Sequence, residues 1–171
     1  MEEKSEKLTV RSVGIKFGLI SGVISIVFFL VLALADLNPF DNKWGWIGAP
    51  ISIIILFLAQ KNFKDEGDGF MSYGQGMGIT FWLGLISILV AGAFTYCYSN
   101  FIDTGVMDLF YEKQRADMAA KSMPDEQIEM AVTWTKKLYW PIYFFFGILF
   151  SLIIGLIVTI FTQKKNPEQV F

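Results

Sequence analysis

The residue types that carry most enzyme and metal chemistry are scarce in this chain. It contains no histidine, and Cys97 is its single cysteine. Imidazole acid–base catalysis, haem ligation through histidine, the usual zinc sites and a redox pair of thiols are therefore excluded. We predict no cofactor, no metal site and no enzymatic activity, and we interpret Cys97 as a small hydrophobic residue.

Carboxylates offer two further candidates. Asp65, Glu66 and Asp68 stand beside two glycines in segment 61–69, a composition that suggests a cation site. A calcium loop, however, needs regularly alternating oxygen ligands and a closing glutamate, and here apolar residues follow at once, so a solvated turn is favoured. Three other aspartates, Asp36, Asp41 and Asp103, lie near predicted helix ends, where turn capping accounts for them.

Uncharged polar residues are the remaining candidates, because several interrupt otherwise apolar stretches and suit hydrogen bonds between helices. They are Ser21, Ser25, Ser52, Gln75, Thr80, Ser87, Thr95, Ser151 and Thr159. We select Tyr73 and Gln75 as the candidate polar site, with the alternative that Gln75 only satisfies a backbone carbonyl. A polar cavity lined by Ser21, Gln75, Thr80 and Ser87 would favour transport, and tight packing there would favour an accessory role.

The elements that position these residues are predicted to be membrane helices. Only 18% of the 171 residues are charged, against about 25% in soluble domains. Four stretches carry no charge, residues 17–35, 44–60, 69–102 and 138–163. They are solidly apolar, which favours helices over barrel strands. We predict an all-α, single membrane domain over residues 1–171, with spans near 15–35, 44–60, 76–98 and 138–161, and the lipid bilayer as partner. The net charge of −2 argues against a nucleic-acid partner.

The charges around the spans predict the orientation. The first span follows Lys4, Lys7 and Arg11 and could be a signal peptide, but its charge-free run of 19 residues exceeds a signal core, so we expect it to be retained. The tails and second loop hold eight Lys and Arg residues, against six in the other loops. This favours both termini in the cytoplasm. Seven aromatic residues at the opposite boundary form a predicted belt, Trp44, Trp46, Tyr96, Tyr98, Tyr139, Trp140 and Tyr143.

Small residues at intervals of four predict how the helices pack, because small side chains let helix backbones approach closely in lipid. Three sets have this spacing: Gly14, Gly18 and Gly22 in the first span; Gly74 and Gly78 where the third begins; and Gly147, Ser151 and Gly155 in the fourth. We expect the first and fourth spans to be apposed, with homodimerisation through Gly18 as the competing use.

Residues 103–137 form the single large loop, and we predict a two-helix extramembrane hairpin there. Asp103 or Thr104 can cap its first helix, and Ser122 with Pro124 marks the start of the second. The hairpin either covers the bundle or docks on a partner.

The whole chain resembles a family of Bacteroidota membrane proteins, the domain of unknown function 4199. The resemblance lies in residues 16–22 and 71–75, in Tyr98 with Ile102 and Asp103, and in residues 126–131. It implies a four-span protein of the bacterial inner membrane and supplies no activity or catalytic residues. It also implies that some relatives are encoded near a glycosyltransferase of the polyprenyl-phosphate sugar synthase type.

Two functions remain open from the sequence. The first is a non-enzymatic accessory or assembly subunit that presents its bundle and hairpin to a membrane-protein partner. The alternative is a small transporter or flippase for an uncharged or lipid-linked substrate, built as a homo-oligomer around the first span. A membrane enzyme ranks last, for want of reactive residues.

Overall fold

The computed structural model describes residues 8–166, so the predicted orienting charges Lys4 and Lys7 lie outside the described residues. Five α-helices make up nearly all of this part: α1 (Val10–Leu34), α2 (Gly45–Asp65), α3 (Tyr73–Cys97), α4 (Gly105–Ala120) and α5 (Asp125–Thr162). A short 3₁₀ turn, Asn42–Trp44, precedes α2, and a π turn, Tyr98–Ile102, extends α3. The all-helical prediction is confirmed.

Four of the helices are long and apolar enough to cross a membrane: α1, α2, α3 with its π turn, and α5. By length and composition they are the helices of a multi-pass membrane protein. Each overlaps one predicted span, but the boundaries differ. The charge-free run marks the stretch suited to lipid, whereas local hydrogen bonds set where a helix begins and ends.

Two capping boxes show how these ends are set. At the start of α1, the Thr9 side chain accepts from the backbone N–H of Ser12, and the Ser12 hydroxyl accepts from the backbone of Thr9. Ser72 and Gln75 make the same reciprocal pair at the start of α3. Each box satisfies two otherwise unpaired N–H groups, so these helices begin several residues before the predicted spans.

The expected pairing of the first and fourth spans is wrong, because α3 lies between α1 and α5. The most extensive helix interface joins α1 to α3, and the next joins α3 to α5, while the backbones of α1 and α5 do not come close to each other. The spacing of small residues marks an interface on each helix, but it does not say which helix is on the other side.

The second helix, α2, is fully buried at one end only. Its buried residues, Ile55, Leu56, Ala59, Gln60 and Phe63, all lie in the half near the chain termini. In residues 45–54 no side chain is buried, and the positions where Gly45 and Gly48 would carry a Cβ face open space. Pro50 lies inside this half and removes one backbone hydrogen bond of the helix. The half near loop 35–44 therefore packs more loosely on the bundle, with the half-buried Ile51 as its contact with the core.

The separate second hairpin helix that we predicted is instead the beginning of α5, which runs unbroken for 38 residues. At 1.5 Å per residue it is about 57 Å long, far more than the roughly 30 Å of a hydrocarbon core. Its N-cap is Pro124, without a side-chain cap, and Ser122 lies in the preceding turn with a φ of 59°. Lys136 and Lys137 stand where we placed the break, but charges do not end a helix.

Candidate functional site

The glycines of α1 face α3 and leave almost no room for a side chain. A Cβ at Gly18 would lie 2.8 Å from the Ile86 Cβ and 2.9 Å from the Leu83 carbonyl oxygen. Gly14 lies in the same way against Trp82, and Gly22 against Val90. Backbone atoms are among the nearest neighbours, so this interface has little freedom to adjust.

The small residues of α5 meet the opposite face of α3. Gly147 lies against Ile88, Ser151 against Gly84, and Gly155 against Thr80. Gly78 of α3 lies against Val10, whereas Gly74 has no atom within 4 Å of its Cβ position. The structure thus brings seven of the eight small residues to interfaces with α3 as the shared helix, and it leaves Gly74 outside them.

Tyr73 and Gln75, the candidate polar pair, do not form a site together. The Gln75 side-chain oxygen accepts a 2.7 Å hydrogen bond from the backbone N–H of Ser72, in the box that begins α3. Gln75 is exposed and Tyr73 is half-buried. The alternative role predicted for Gln75, a hydrogen bond to a backbone carbonyl, is wrong, because its partner is a backbone N–H.

A buried glutamine that sequence reasoning missed connects three helices. Gln60 of α2 has no exposed surface, and its side-chain nitrogen donates to Thr159 Oγ1 at 2.8 Å and to the Gly76 carbonyl oxygen at 3.1 Å. Thr162 donates to its side-chain oxygen. We call Gln60, Gly76, Thr80, Thr159 and Thr162 the Gln60 cluster. All polar atoms of the Gln60 side chain have partners, so the cluster binds helices together and has no capacity left for a ligand.

A cavity of about 250 Å³ lies further along the bundle, among α1, α2, α3 and α5. Five serines line it, Ser21, Ser25, Ser52, Ser87 and Ser151, and we call it the serine cavity. No charged side chain lines it, and the other lining residues are mainly apolar. Of the four residues whose packing was to separate transport from an accessory role, Ser21 and Ser87 line this cavity, whereas Gln75 and Thr80 lie elsewhere.

The serine cavity adjoins two further spaces. One, of about 100 Å³, lies between α1 and α2 and shares Ser21, Ser25 and Ser52 with it. The other, of about 300 Å³, shares Ser25 and Tyr143 and reaches Asp41 and Trp44 at the hairpin end of the bundle. The cavity is thus bordered by open space beside the loosely packed first half of α2. The core around the Gln60 cluster closes the other end.

The helix α4 packs antiparallel on the first part of α5, and we call residues 105–137 the outer hairpin. Tyr111, Ile128 and Val132 form its buried core. Arg115 donates two hydrogen bonds to the Glu129 carboxylate, at 2.8 and 3.0 Å. The two helices therefore form one element with a core of its own.

Contacts with loop 35–44 hold the outer hairpin to the bundle. The Lys113 Nζ lies 2.7 Å from Asp41 Oδ2, and this hydrogen bond holds the pKa of Asp41 below its ordinary 3.8. The same bond raises the pKa of Lys113 above 10.5. The Phe40 ring packs against Phe110 and Tyr139 with centroids about 6 Å apart. An ion pair and an aromatic cluster together fix the position of the hairpin.

An apolar stripe remains exposed on this fixed element. Met130 and Trp134 are each 56% exposed, and Leu138 continues the same line at intervals of four residues. Residues four apart lie on one face of a helix, so the three form a continuous strip along α5. We call Met130, Trp134 and Leu138 the α5 stripe.

The glycine-rich loop at the opposite end holds a solvent-open polar pocket. Lys64, Asp68 and Lys164 are among its lining residues. Asp68 accepts from the backbone N–H of Phe70, and Lys64 donates to the Thr162 carbonyl. Across residues 8–166, no three His, Cys, Asp or Glu side chains are placed to hold a metal ion.

Comparison with known proteins identifies the family of the chain, which is one of unknown function. The family model described as "Protein of unknown function (DUF4199)" matches residues 16–162, and the chain belongs to this family. No curated protein and no solved structure matches the chain. The structure of the chain is therefore the basis for inferring its function.

Proposed function

We propose that this DUF4199 protein is a non-enzymatic subunit of the bacterial inner membrane, an accessory or assembly factor whose outer hairpin docks on a membrane-protein partner. The observation that carries the proposal is the α5 stripe. An exposed tryptophan and methionine on a fixed, well-packed element are what a docking surface requires, because little ordering entropy is then lost on binding.

The position of the stripe supports a protein partner over lipid. The charge-free stretch of α5 begins at Leu138, the last residue of the stripe, and the stripe begins eight residues before it. Met130 is thus about 12 Å along the helix axis from the start of that stretch, on the hairpin side. A protein surface rather than acyl chains is then its natural cover.

The proposed orientation places both termini in the cytoplasm and the outer hairpin on the other side of the membrane. Basic residues support it at the termini end. Arg11 lies 5.0 Å from the Trp82 ring, and Lys164 lies 5.3 Å from the Phe70 ring. Such side chains place their charge among headgroups at either membrane boundary, so support for the orientation comes from the larger number of Lys and Arg residues in the tails and second loop.

The test is affinity purification of the tagged protein from its native membrane in mild detergent, comparing two variants. Trp134→Glu places a charge in the α5 stripe, and Thr133→Glu places the same charge on the neighbouring exposed position outside it. We expect a stoichiometric partner with the wild type and with Thr133→Glu, and its loss with Trp134→Glu. A protein that elutes alone or as a homo-oligomer in all three cases would overturn the proposal.

A second candidate function is transport or lipid flipping of an uncharged substrate, and the serine cavity favours it. Hydroxyl groups at this depth give an uncharged polar substrate partners without the cost of a buried charge. Reconstitution in proteoliposomes tests it. Substrate movement that the wild type supports and Ser52→Leu abolishes would favour transport, and no movement above protein-free vesicles would count against it.

A further inference from the structure

The serine cavity contains hydrogen-bonding capacity that the protein itself does not use. Ser87 and Ser21 share one hydrogen bond of 3.0 Å, so one of their two hydroxyl protons stays available whichever serine donates. Ser21 is only 6% exposed. Ser151 lines the cavity, and no hydrogen-bond partner for its hydroxyl is found within residues 8–166.

The other two hydroxyls have a different role. Ser25 donates to the Ser21 carbonyl at 2.9 Å, and Ser52 donates to the Gly48 carbonyl at 3.0 Å. Their protons are used, but their oxygens can still accept. The cavity therefore offers both donors and acceptors, which is the pattern that a hydroxyl group can satisfy at each end.

The rest of the lining defines what else the occupant must be. Leu56, Ile88, Phe150 and Ile154 surround the serines, and no side chain supplies a counter-charge. A charged headgroup would lose its hydration there without compensation. The volume of about 250 Å³ also far exceeds the roughly 30 Å³ of one water. A neutral molecule with a hydroxylated head and an apolar body fits both observations.

The gap between α1 and α2 indicates how such a molecule enters. The space in this gap shares three serines with the cavity, and the half of α2 beside it has no fully buried residue. Gly48 lines the gap and places no Cβ in it. A chain lying in the gap would have its head at the serines and its tail in the surrounding lipid.

We propose that the serine cavity binds the hydroxylated head of a neutral amphiphile, whose apolar chain leaves the protein between α1 and α2. This binding site does not depend on the docking role of the outer hairpin. It also does not require that the ligand crosses the membrane.

Photolabelling of the purified protein in lipid nanodiscs tests the site. The probe is a long-chain primary alcohol with a diazirine next to its hydroxyl group, and the controls are the carboxylate and trimethylammonium probes of equal length. We expect saturable labelling of cavity residues such as Leu56 and Ile154 by the alcohol. The charged probes should label only lipid-facing positions such as Phe57, which is 47% exposed.

Two pairs of variants test the head and the chain separately. Ser52→Ala with Ser151→Ala should lower cavity labelling about tenfold, the effect of losing one or two hydrogen bonds, whereas Thr133→Ala should not change it. Gly48→Leu should block the gap, and Gly74→Leu, which also faces open space, should not. Unchanged elution and a melting temperature no lower than that of the wild type show that each variant is folded.

The outcomes separate the explanations. Labelling that does not saturate, or that is equal for the three head groups, would show ordinary lipid contact and overturn the proposal. Saturable labelling that neither variant pair lowers would place the alcohol elsewhere and overturn it as well. An unlabelled cavity would show that only water fills it, which is a third contrary result.

Discussion

At the scale of single residues, burial gives polar side chains roles that their sequence positions conceal. Gln60 ends a charge-free stretch and stands beside Lys61, so from sequence it belongs to the membrane boundary. It is buried because Gly76 offers no side chain and because Thr159 and Thr162 approach from α5. These partners are 16 to 102 residues away in the chain. A local sequence pattern therefore cannot show that Gly76 and the two threonines meet Gln60.

Gln75 illustrates the opposite case. It attracted attention as a polar residue near a span, yet it serves three residues away as half of a capping box with Ser72. That role was readable from the sequence, since serine followed three residues later by glutamine is a capping signature.

We predict that Gln60→Met destabilises the protein. Methionine fills a similar volume but makes none of the hydrogen bonds to α3 and α5, so the free energy of unfolding should fall by about 2 kcal/mol. Denaturant titration in detergent micelles measures it. Gln127→Met, at an exposed position, serves as the control and should change little. Equal stability of both variants would mean that the Gln60 cluster contributes nothing to the fold.

At the scale of helices, spacing predicted interfaces well and partners poorly. The glycines of α1 and the small residues of α5 do face neighbouring helices, but both sets face α3. A glycine or serine accommodates any neighbouring helix equally well. The larger side chains on the opposite helix therefore decide which helix packs there. Here Trp82, Ile86 and Val90 of α3 provide the complementary ridge for α1.

We predict opposite effects of the same substitution at two glycines. Gly18→Ala forces α1 away from Ile86 and from a backbone carbonyl, and should cost about 1–3 kcal/mol of unfolding free energy. Gly48→Ala meets open space and should stabilise α2 by up to about 1 kcal/mol, because alanine favours the helix. Thermal melting in detergent checks both. A Gly18→Ala variant as stable as wild type would mean that the α1–α3 interface is looser than described.

The outer hairpin gives a pH prediction. The pKa of Asp41 is lowered by Lys113, so this ion pair is intact above 3.8 and is lost as the pH falls through the lowered value. The pKa of Lys113 is raised, so its contribution persists below 10.5 and is lost above it. Between about pH 4 and 10 the attachment of the hairpin should therefore not vary.

Electron–electron distances between spin labels test this prediction. Labels at Val31→Cys of α1 and Ala116→Cys of α4, in a Cys97→Ser background, report the distance from hairpin to bundle. We expect one narrow distribution at neutral pH and a modest broadening below pH 3.8 and in Asp41→Asn, since an exposed ion pair contributes little and the aromatic contacts remain. A distribution that varies between pH 5 and 9 would contradict the assignment, because neither group titrates in that range.

At the scale of the whole molecule, composition was enough to predict the architecture. Four charge-free stretches gave four helices that can cross a membrane, because lipid leaves backbone groups no other partner. The single continuous α5 could not be predicted, since lysines at positions 136 and 137 resemble a boundary although they do not interrupt a helix. Two residues of the serine cavity, Ser21 and Ser87, could be named from the sequence, but the rest of its lining could not, because it depends on how four helices meet.

Three features together support the proposed docking role. Glycines and Gln60 hold a rigid bundle, the hairpin is fixed to that bundle, and an apolar strip is left exposed on the hairpin. Photo-crosslinking in living cells tests that role most directly. A benzophenone amino acid is placed at position 134 within the α5 stripe, and in a control at position 112 on the exposed face of α4. We expect one discrete protein adduct from position 134 and none from position 112. Equal adducts from both positions, or none from either, would contradict it.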